Sequence, residues 1–423
     1  MVEASGIDQE RTVIKLDGSD YAIIVPGQIV FALDAQPEEV TELIKTIHHN
    51  FKEKEPQQQA LKTINLTLLP TTDCNLRCVY CYSRGGERTV YMDQKVAKAA
   101  IEAVSKKFKT ENIGLTFAGG GEPFLNFELM KKAHKQAQNL FETVYLSVVT
   151  NGTFDSEQRQ WLIENEVSTR ISFDSIFQTK QRPSANSKPS QEFVKENIRT
   201  LLQLGHGVMI QCIITKQAVG KMVEALKYLA SLGVKLVKMP PMLSSEISRG
   251  GRSMVPTARS YVEGLLDVLD YIAEKELPIK IDTGYFSKPS MGAYCGANGK
   301  NIIITPWGTV TSCVETIRES DPYANPFLYG RVSPEESSFL FDSERLDKLH
   351  SLHYTYRDKC SRCEFRLLCG GGCPMENVWA TGFPPKPASY RCQVEYQLLP
   401  ELLTRLARSS KYENMILDNV SIC

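Results

Sequence analysis

No stretch of this sequence reaches the ~18 consecutive apolar residues that a membrane-spanning helix needs, so no span is expected. Residues 1–20 show no apolar run behind a basic start, so no signal peptide is expected there. Neither sign of charge is in excess: Lys+Arg and Asp+Glu are both 49, a formal net charge of zero. A nucleic-acid binder normally carries a basic excess or stripe. The short basic pairs here, Lys106-Lys107 and Lys131-Lys132, fall in helical patterns and read as solvated faces. Nucleic acid and membrane are therefore set aside as partners, and the chain is expected to be cytoplasmic. With 42% hydrophobic and 23% charged residues the composition is that of an ordinary globular protein. A chain of 423 residues can bury a large core without disulfides and suggests two or three domains.

What the chain does have is cysteine, twelve in all and unevenly placed. Disulfides are rare in a reducing cytosol, where cysteine patterns more often mean metal or redox chemistry. Three cysteines fall within eight residues (Cys74, Cys78, Cys81) and seven lie between Cys295 and Cys392. Cys212, inside a strand pattern, reads as a small buried hydrophobe, and Cys423, the last residue, as frayed.

Short apolar runs over 12–34, broken by Asp17-Gly18, predict a hairpin or small sheet, and Glu38–His48 a short helix. The charged, Gln-rich stretch Lys52–Gln59 reads as a linker. From Thr63 to Tyr285 strands and helices alternate. The candidate strands are Ile64–Leu69, Ile113–Phe117, Thr143–Val149, Arg170–Phe173, Val208–Ile214 and Val234–Met239. Between them, Ala97, Ile101, Val104 and Phe108 share a helical face, as do Met222, Leu226 and Leu229, with Gly233 as a stop. Repeated strand–helix units imply a parallel sheet with right-handed crossovers, either open or a partial barrel. Two polar loops, Gln178–Gln191 and Ser244–Thr257, interrupt the region. Beyond about residue 286 helical periodicity weakens while Gly, Pro and Cys rise, which reads as a loop-rich part organised by metal; a helix over about Gln393–Arg408 follows. The expected division is 1–62, a small strand and helix module; 63–285, the alternating core; and 286–423, the cysteine-rich part with its helix.

Just after the first core strand the sequence runs Cys74-x3-Cys78-x2-Cys81. Three thiolates on one tight loop can hold three corners of a four-iron cluster. A zinc ion would want a fourth protein ligand, and no His or Cys lies nearby to supply it, so one corner stays open. Gly119-Gly120-Gly121-Glu122-Pro123 follows the second strand, Thr150-Asn151-Gly152 the third, and Ser172-Phe173-Asp174 ends the fourth, with Arg182 in the loop beyond. This set resembles the radical S-adenosylmethionine (radical SAM) superfamily. The resemblance implies a partial (β/α)6 TIM-like barrel. It implies a [4Fe-4S] cluster on Cys74, Cys78 and Cys81, whose open iron is chelated by S-adenosylmethionine. One-electron cleavage then yields a 5′-deoxyadenosyl radical that abstracts hydrogen from an unactivated C–H bond. By the same resemblance Gly120, Gly121 and Glu122 meet the methionyl amino group and Tyr80 lies next to adenine. Asn151 belongs to a segment common in the family, and Ser172 and Arg182 are candidates for the ribose and carboxylate. The extra Gly before the Gly-Gly-Glu-Pro segment is a small departure.

The later cysteines follow the pattern Cys295-x12-Gly308-x4-Cys313, then Cys360-x2-Cys363-x5-Cys369-x3-Cys373, then Cys392. By density alone part of this pattern also suits zinc. The whole resembles the SPASM domain, an auxiliary-cluster extension of radical SAM enzymes. That resemblance implies one auxiliary cluster on Cys360, Cys363, Cys369 and Cys392 and another on Cys295, Cys313 and Cys373. No Cys follows in 296–301 to complete the second set, so an open iron is expected there, suited to a substrate thiolate.

Enzymes with this extension mostly modify peptides or protein side chains, with a smaller group acting on small metabolites. The expected function is a peptide maturase that installs an oxidative cross-link, thioether or C–C, in a ribosomally made precursor peptide. A flavodoxin- or ferredoxin-type donor would feed it electrons. Sulfatase-maturase-like action on a protein side chain, or action on a small metabolite, is the alternative, and a zinc-binding scaffold the distant one. The sulfatase-maturating branch has Asp directly after the cysteine matching Cys313; here the run is Cys313-Val314-Glu315, which counts against it. Glu315 is a candidate proton acceptor, against the plainer reading of a solvated loop acid. Residues 1–62 are a possible site for the precursor's leader, added as an edge strand, or a barrel cap.

Overall fold

The structure is a computed structural model. It describes residues 11–25, 28–52, 63–186, 188–243, 248–283, 294–352, 358–382, 386, 389–413, 415 and 421–422. Cys423, most of the expected linker and the start of the loop 244–257 lie outside the described residues.

The core strands are β4 (Thr63–Leu68), β5 (Asn112–Phe117), β6 (Thr143–Thr150), β7 (Ser168–Ser172), β8 (Val208–Gln211) and β9 (Leu236–Lys238). They pair in chain order and in parallel, joined by helices, as the six strands of a partial (β/α)6 barrel. A short strand β10 (Lys280–Ile281) adds to β9 in parallel. Each crossover buries one helix face. In the helix Gln94–Phe108, Ala97, Ile101 and Val104 are buried and Phe108 packs against the core, the face read from spacing. Asp93 caps its start by accepting the Lys95 N–H at 2.7 Å, satisfying a donor the first turn leaves free. Met222, Leu226 and Leu229 are likewise buried in Met222–Ser231.

The sheet does not stop at the core. Strands β11 (Ile302–Ile304), β12 (Thr309–Thr311), β13 (Leu328–Ser333) and β14 (Ser338–Phe341) continue it beyond β4. β11 pairs with β4 in parallel and the rest follow antiparallel. The expectation of a loop-rich region from 286 is thus incomplete. The missed strands are short and buried throughout in β11 and β12, so they lack the alternation that marks a half-buried strand. The helix Ser389–Arg408 packs on the core helix Ala258–Lys275, where Arg405 donates to both Asp270 oxygens at 2.8 and 2.9 Å. Near the start, β1 (Thr12–Lys15), β2 (Tyr21–Val25) and β3 (Gln28–Ala32) form an antiparallel sheet ahead of the helix Pro37–Lys52. β15 (Ser421–Ile422) adds to β3 in parallel, which leaves β1 at the other end of this sheet.

Candidate active site and cysteine centres

Cys74, Cys78 and Cys81 lie on the loop that leaves the C-terminal end of β4, where α/β sheets place their ligands. Backbone ties hold the loop at both ends. Thr72 donates to Val90 at 2.9 Å, and Gly86 donates to Thr72 at 2.9 Å. Along its length it pairs with the segment after β7: Arg77 donates to Pro183 at 2.7 Å, Val79 to Gln181 at 2.9 Å, and Ala185 to Asn75 at 2.9 Å. Arg249 closes the third side, donating to the Gly85 carbonyl at 3.0 Å and the Cys78 carbonyl at 3.3 Å. Nothing in the spacing of that arginine announced it.

The glycine segment is explained by how closely the backbone approaches this loop. A Cβ on Gly121 would sit 1.8 Å from the Asp73 carbonyl oxygen; one on Gly120, whose φ is +70°, would sit 2.6 Å from the Thr71 oxygen. Glu122 follows and is buried. It accepts from Thr150 Oγ1 at 2.7 Å, Asn151 N at 2.7 Å and Phe124 N at 3.3 Å. Burial pushes its carboxyl up to about 7, against the pull of those donors. Glu122 thereby ties the end of β5 to the end of β6. Asn151 carries the tie onward, donating from Nδ2 to Asn75 Oδ1 at 2.8 Å, with the Cys74 sulfur 3.9 Å away.

The expected polar loop over 178–191 is corrected. Gln178–Gln181 is a helical turn, and Gln178, Gln181, Arg182 and Ser190 are buried; residue 187 lies outside the described residues. The reason is a buried polar centre at Asp174, which is fully enclosed. Its oxygens accept from Tyr80 Oη at 2.5 Å, Gln181 Nε2 at 2.9 Å and Ile213 N at 2.9 Å, and Arg182 Nε lies 3.1 Å away. The Arg182 guanidinium stacks over the Tyr80 ring, 5.3 Å from its centroid, and its Nη1 is 3.8 Å from the Cys78 sulfur. Sequence reading singled out Tyr80 and Arg182 but not Asp174 as the residue that unites them. Ser172, at the end of β7, is half-buried.

Burial pushes the Cys74 thiol up to about 12 and the Cys78 thiol to about 11, and proximity to the other thiols adds to it. The Arg182 and Arg249 charges pull Cys78 back toward the thiolate, and thiolate is the usual iron–sulfur donor.

The later cysteines fall into two groups in space. Cys360, Cys363, Cys369 and Cys392 line one pocket with Arg366, Arg391 and Tyr396. Cys369 ends a short helix, and Gly370, Gly371 and Gly372 after it all have positive φ, turning the chain so that Cys373 heads the next helix, Pro374–Thr381. Cys373 then joins Cys295 and Cys313: burial raises the Cys373 and Cys313 thiols, the Glu315 charge and the Cys295 thiol raise both further, and Cys373 also raises Cys313. Among the described residues no three His, Cys, Asp or Glu side chains converge tightly enough to hold a single metal ion. Cys212 is fully buried just past β8.

The solvated-acid reading of Glu315 is corrected. Glu315 lies in the turn that Thr316 N closes on the Cys313 carbonyl at 3.1 Å, and its Oε2 is buried with no hydrogen-bond partner among the described residues. Burial, then the Glu376 charge, push its carboxyl up to about 7. No described helix is long and apolar enough to cross a membrane.

Residues 68–229 match the radical SAM superfamily. The chain is 29% identical over 177 residues to an uncharacterized protein of Methanocaldococcus jannaschii, covering 41% of this chain and 60% of that one. It is 23% identical over 327 residues to the antilisterial bacteriocin subtilosin biosynthesis protein AlbA of Bacillus subtilis, 73% of this chain and 66% of that one. The chain thus spans less than two thirds of either relative's own length. Among solved structures, anSMEcpe with bound AdoMet superposes with a TM-score of 0.69 at 19% identity, covering 81% of this chain and 98% of that one. Streptococcus suis SuiB bound to precursor peptide SuiA gives 0.57 at 14% identity, covering 85% and 82%. At these identities the structural likeness is one of fold. The segment 68–229, which carries Cys74, Cys78 and Cys81, is thus the part of the chain that matches the radical SAM superfamily, an enzyme class that uses a [4Fe-4S] cluster and S-adenosylmethionine.

Proposed function

We propose that this chain is a peptide maturase that installs an oxidative cross-link, thioether or C–C, in a ribosomally made precursor peptide. The observation that carries the reading is that Cys360, Cys363, Cys369 and Cys392 line one pocket while Cys74, Cys78 and Cys81 lie on the loop after β4. The likeness to AlbA, a bacteriocin biosynthesis protein, supports the peptide class, because it extends over 327 residues and so beyond the family segment. The likeness of fold to SuiB, solved with a precursor peptide, agrees with it.

On this reading the chain has three parts, 1–62, 63–285 and 286–423. Cys74, Cys78 and Cys81 hold the first cluster; Cys360, Cys363, Cys369 and Cys392 a second; Cys295, Cys313 and Cys373 a third. When bound, the first cluster and S-adenosylmethionine supply hydrogen-atom abstraction from an unactivated C–H bond. The chain's own residues orient and shield. The Gly120-Gly121 backbone and Glu122 seat the cofactor at the end of β5, with Tyr80, Asn151 and Ser172 around it. Arg182, set against Tyr80 and Cys78, keeps positive charge beside the thiolate and the cofactor carboxylate. Auxiliary groups held by the later cysteines would supply an acceptor for the second electron, which would make the net change an oxidation, with a flavodoxin or ferredoxin as donor of the first. The outer edge of β1, which pairs with no strand among the described residues, offers a place for a leader peptide to add as a strand.

The test is the mass of a small peptide encoded beside this gene after anaerobic co-expression. Loss of hydrogens in pairs, located by fragmentation, is the expected result. An unchanged peptide beside an enzyme that cleaves S-adenosylmethionine would reject the cross-link. Stoichiometric zinc without sulfide in the purified protein would reject the enzyme reading altogether.

A further inference from the structure

The Cys295, Cys313 and Cys373 group is one thiolate short of a complete four-iron site, and residues 296–301 supply none. A carboxylate stands close to this group. Glu315 shares a turn with Cys313, closed by Thr316 N on the Cys313 carbonyl at 3.1 Å. Its backbone N–H lies near the Cys313 thiol and favours the thiolate. Its carboxylate lies near enough to Cys313 and Cys373 for its charge to raise both thiols. Its Oε2 is sealed from solvent without a hydrogen-bond partner among the described residues, a costly state for a carboxylate.

The other acid in this corner, Glu376, is differently placed. Its Oε2 lies 3.6 Å from Arg391 Nε, so a buried cation already faces it. Among the described residues no salt bridge is formed by Glu315. A carboxylate whose buried oxygen has no hydrogen-bond partner among the described residues, beside two of the three thiols, can be satisfied by a metal. Iron accepts carboxylate oxygen as well as thiolate, at the cost of a harder, less electron-donating ligand.

We propose that Glu315 is the fourth ligand of the auxiliary cluster on Cys295, Cys313 and Cys373, through its carboxylate. The proposal rests on the reading of those three cysteines as cluster ligands. It replaces the open iron that spacing alone suggests. A carboxylate bond is weaker than a thiolate bond, so the iron stays exchangeable with a stronger ligand while remaining closed to water.

The experiment uses the full chain, reconstituted anaerobically, with the first cluster saturated by S-adenosylmethionine. Electron paramagnetic resonance spectra of the reduced protein are taken with and without 2-mercaptoethanol for the parent, Glu315→Ala, Glu315→Gln and Glu315→Cys. The Ala and Gln variants should keep the parent's iron and sulfide and gain a thiol-dependent signal at much lower thiol than the parent needs. The Gln variant keeps the side-chain volume and so guards against a folding defect in the Ala variant. The Cys variant should not respond to thiol, and its auxiliary reduction potential should move to a more negative value. Parent-like spectra in the Ala and Gln variants, at every thiol concentration, would overturn the proposal. Loss of product with those unchanged spectra would also overturn it, in favour of a proton-accepting role. Iron and sulfide in Cys313→Ala equal to the parent's would instead reject the cluster itself, and the ligand with it.

Discussion

Asp174 and Arg182 form an ion pair sealed in the interior beneath the cysteine loop, with Arg182 Nε 3.1 Å from Asp174 Oδ2. Neither side is satisfied by the pair alone. Asp174 also accepts from Tyr80, Gln181 and the Ile213 backbone, while Arg182 reaches Tyr80 and the Cys78 sulfur. The pair therefore joins β7, β8 and the cysteine loop at one point.

Breaking this centre from the two sides should have unequal effects. Removing one partner of a buried pair costs about 3–5 kcal/mol. Asp174→Ala leaves a buried guanidinium and three further donors unmatched, whereas Arg182→Met leaves a carboxylate that still has three donors. Thermal unfolding of the iron-free chain should show the larger loss for Asp174→Ala. The reverse order would mean that the pair is not the organising contact.

Gly121→Ala and Gly18→Ala should differ for a stated reason. At Gly121 a methyl would lie 1.8 Å from backbone, so the cysteine loop must move, and about four irons per chain should be lost together with S-adenosylmethionine cleavage. At Gly18, with φ of +65°, a methyl would have no other atom within 4 Å, so only the left-handed conformation is penalised, about 1–2 kcal/mol. Iron content of Gly18→Ala should equal the parent's.

Cluster variants should separate the two redox roles. Cys78→Ala is expected to abolish S-adenosylmethionine cleavage, read by release of 5′-deoxyadenosine. Cys313→Ala should spare part of that cleavage and lose the modified peptide. Equal product from Cys313→Ala and the parent would remove the electron-acceptor role from the auxiliary group.

Asp270 gives a pH prediction. Its hydrogen bonds from Arg405, then Tyr412, hold the carboxyl below its ordinary 3.8 against the opposing effect of burial. A carboxyl depressed on folding adds stability that is full above its unfolded value, near pH 4, and is lost as pH falls through the folded value. Because Asp270 is 44% exposed, solvent screening limits the gain to about 1 kcal/mol. Asp270→Asn should lower stability near pH 7, and its deficit against the parent should shrink below about pH 4. A deficit constant with pH would show that the charge is not what matters.

How far the site was legible varies residue by residue. The Cys74 loop, the Gly-Gly-Glu segment and the strands that carry them stand in local order along the chain, so spacing exposes them. Asp174 is one residue past Phe173 and carries no signal of its own. Its importance arises because Tyr80, Gln181 and Ile213 arrive from three distant stretches. Glu315 has the same history: a polar residue in a turn reads as solvated, and only the approach of segments distant in sequence, those of Tyr82 and Cys373 among them, encloses its Oε2.

By itself the sequence determined the repeating strand–helix order, the buried helix faces and the places where thiols cluster, because each depends on periodicity or on neighbours a few residues apart. Only the tertiary structure decided that β11 extends the sheet beside β4. It also decided that Asp174 is a buried, hydrogen-bonded carboxylate and that Glu315 has a buried oxygen without a hydrogen-bond partner among the described residues. These outcomes depend on which distant segments meet, and burial, which sets the cost of an unpaired charge, exists only once they have met.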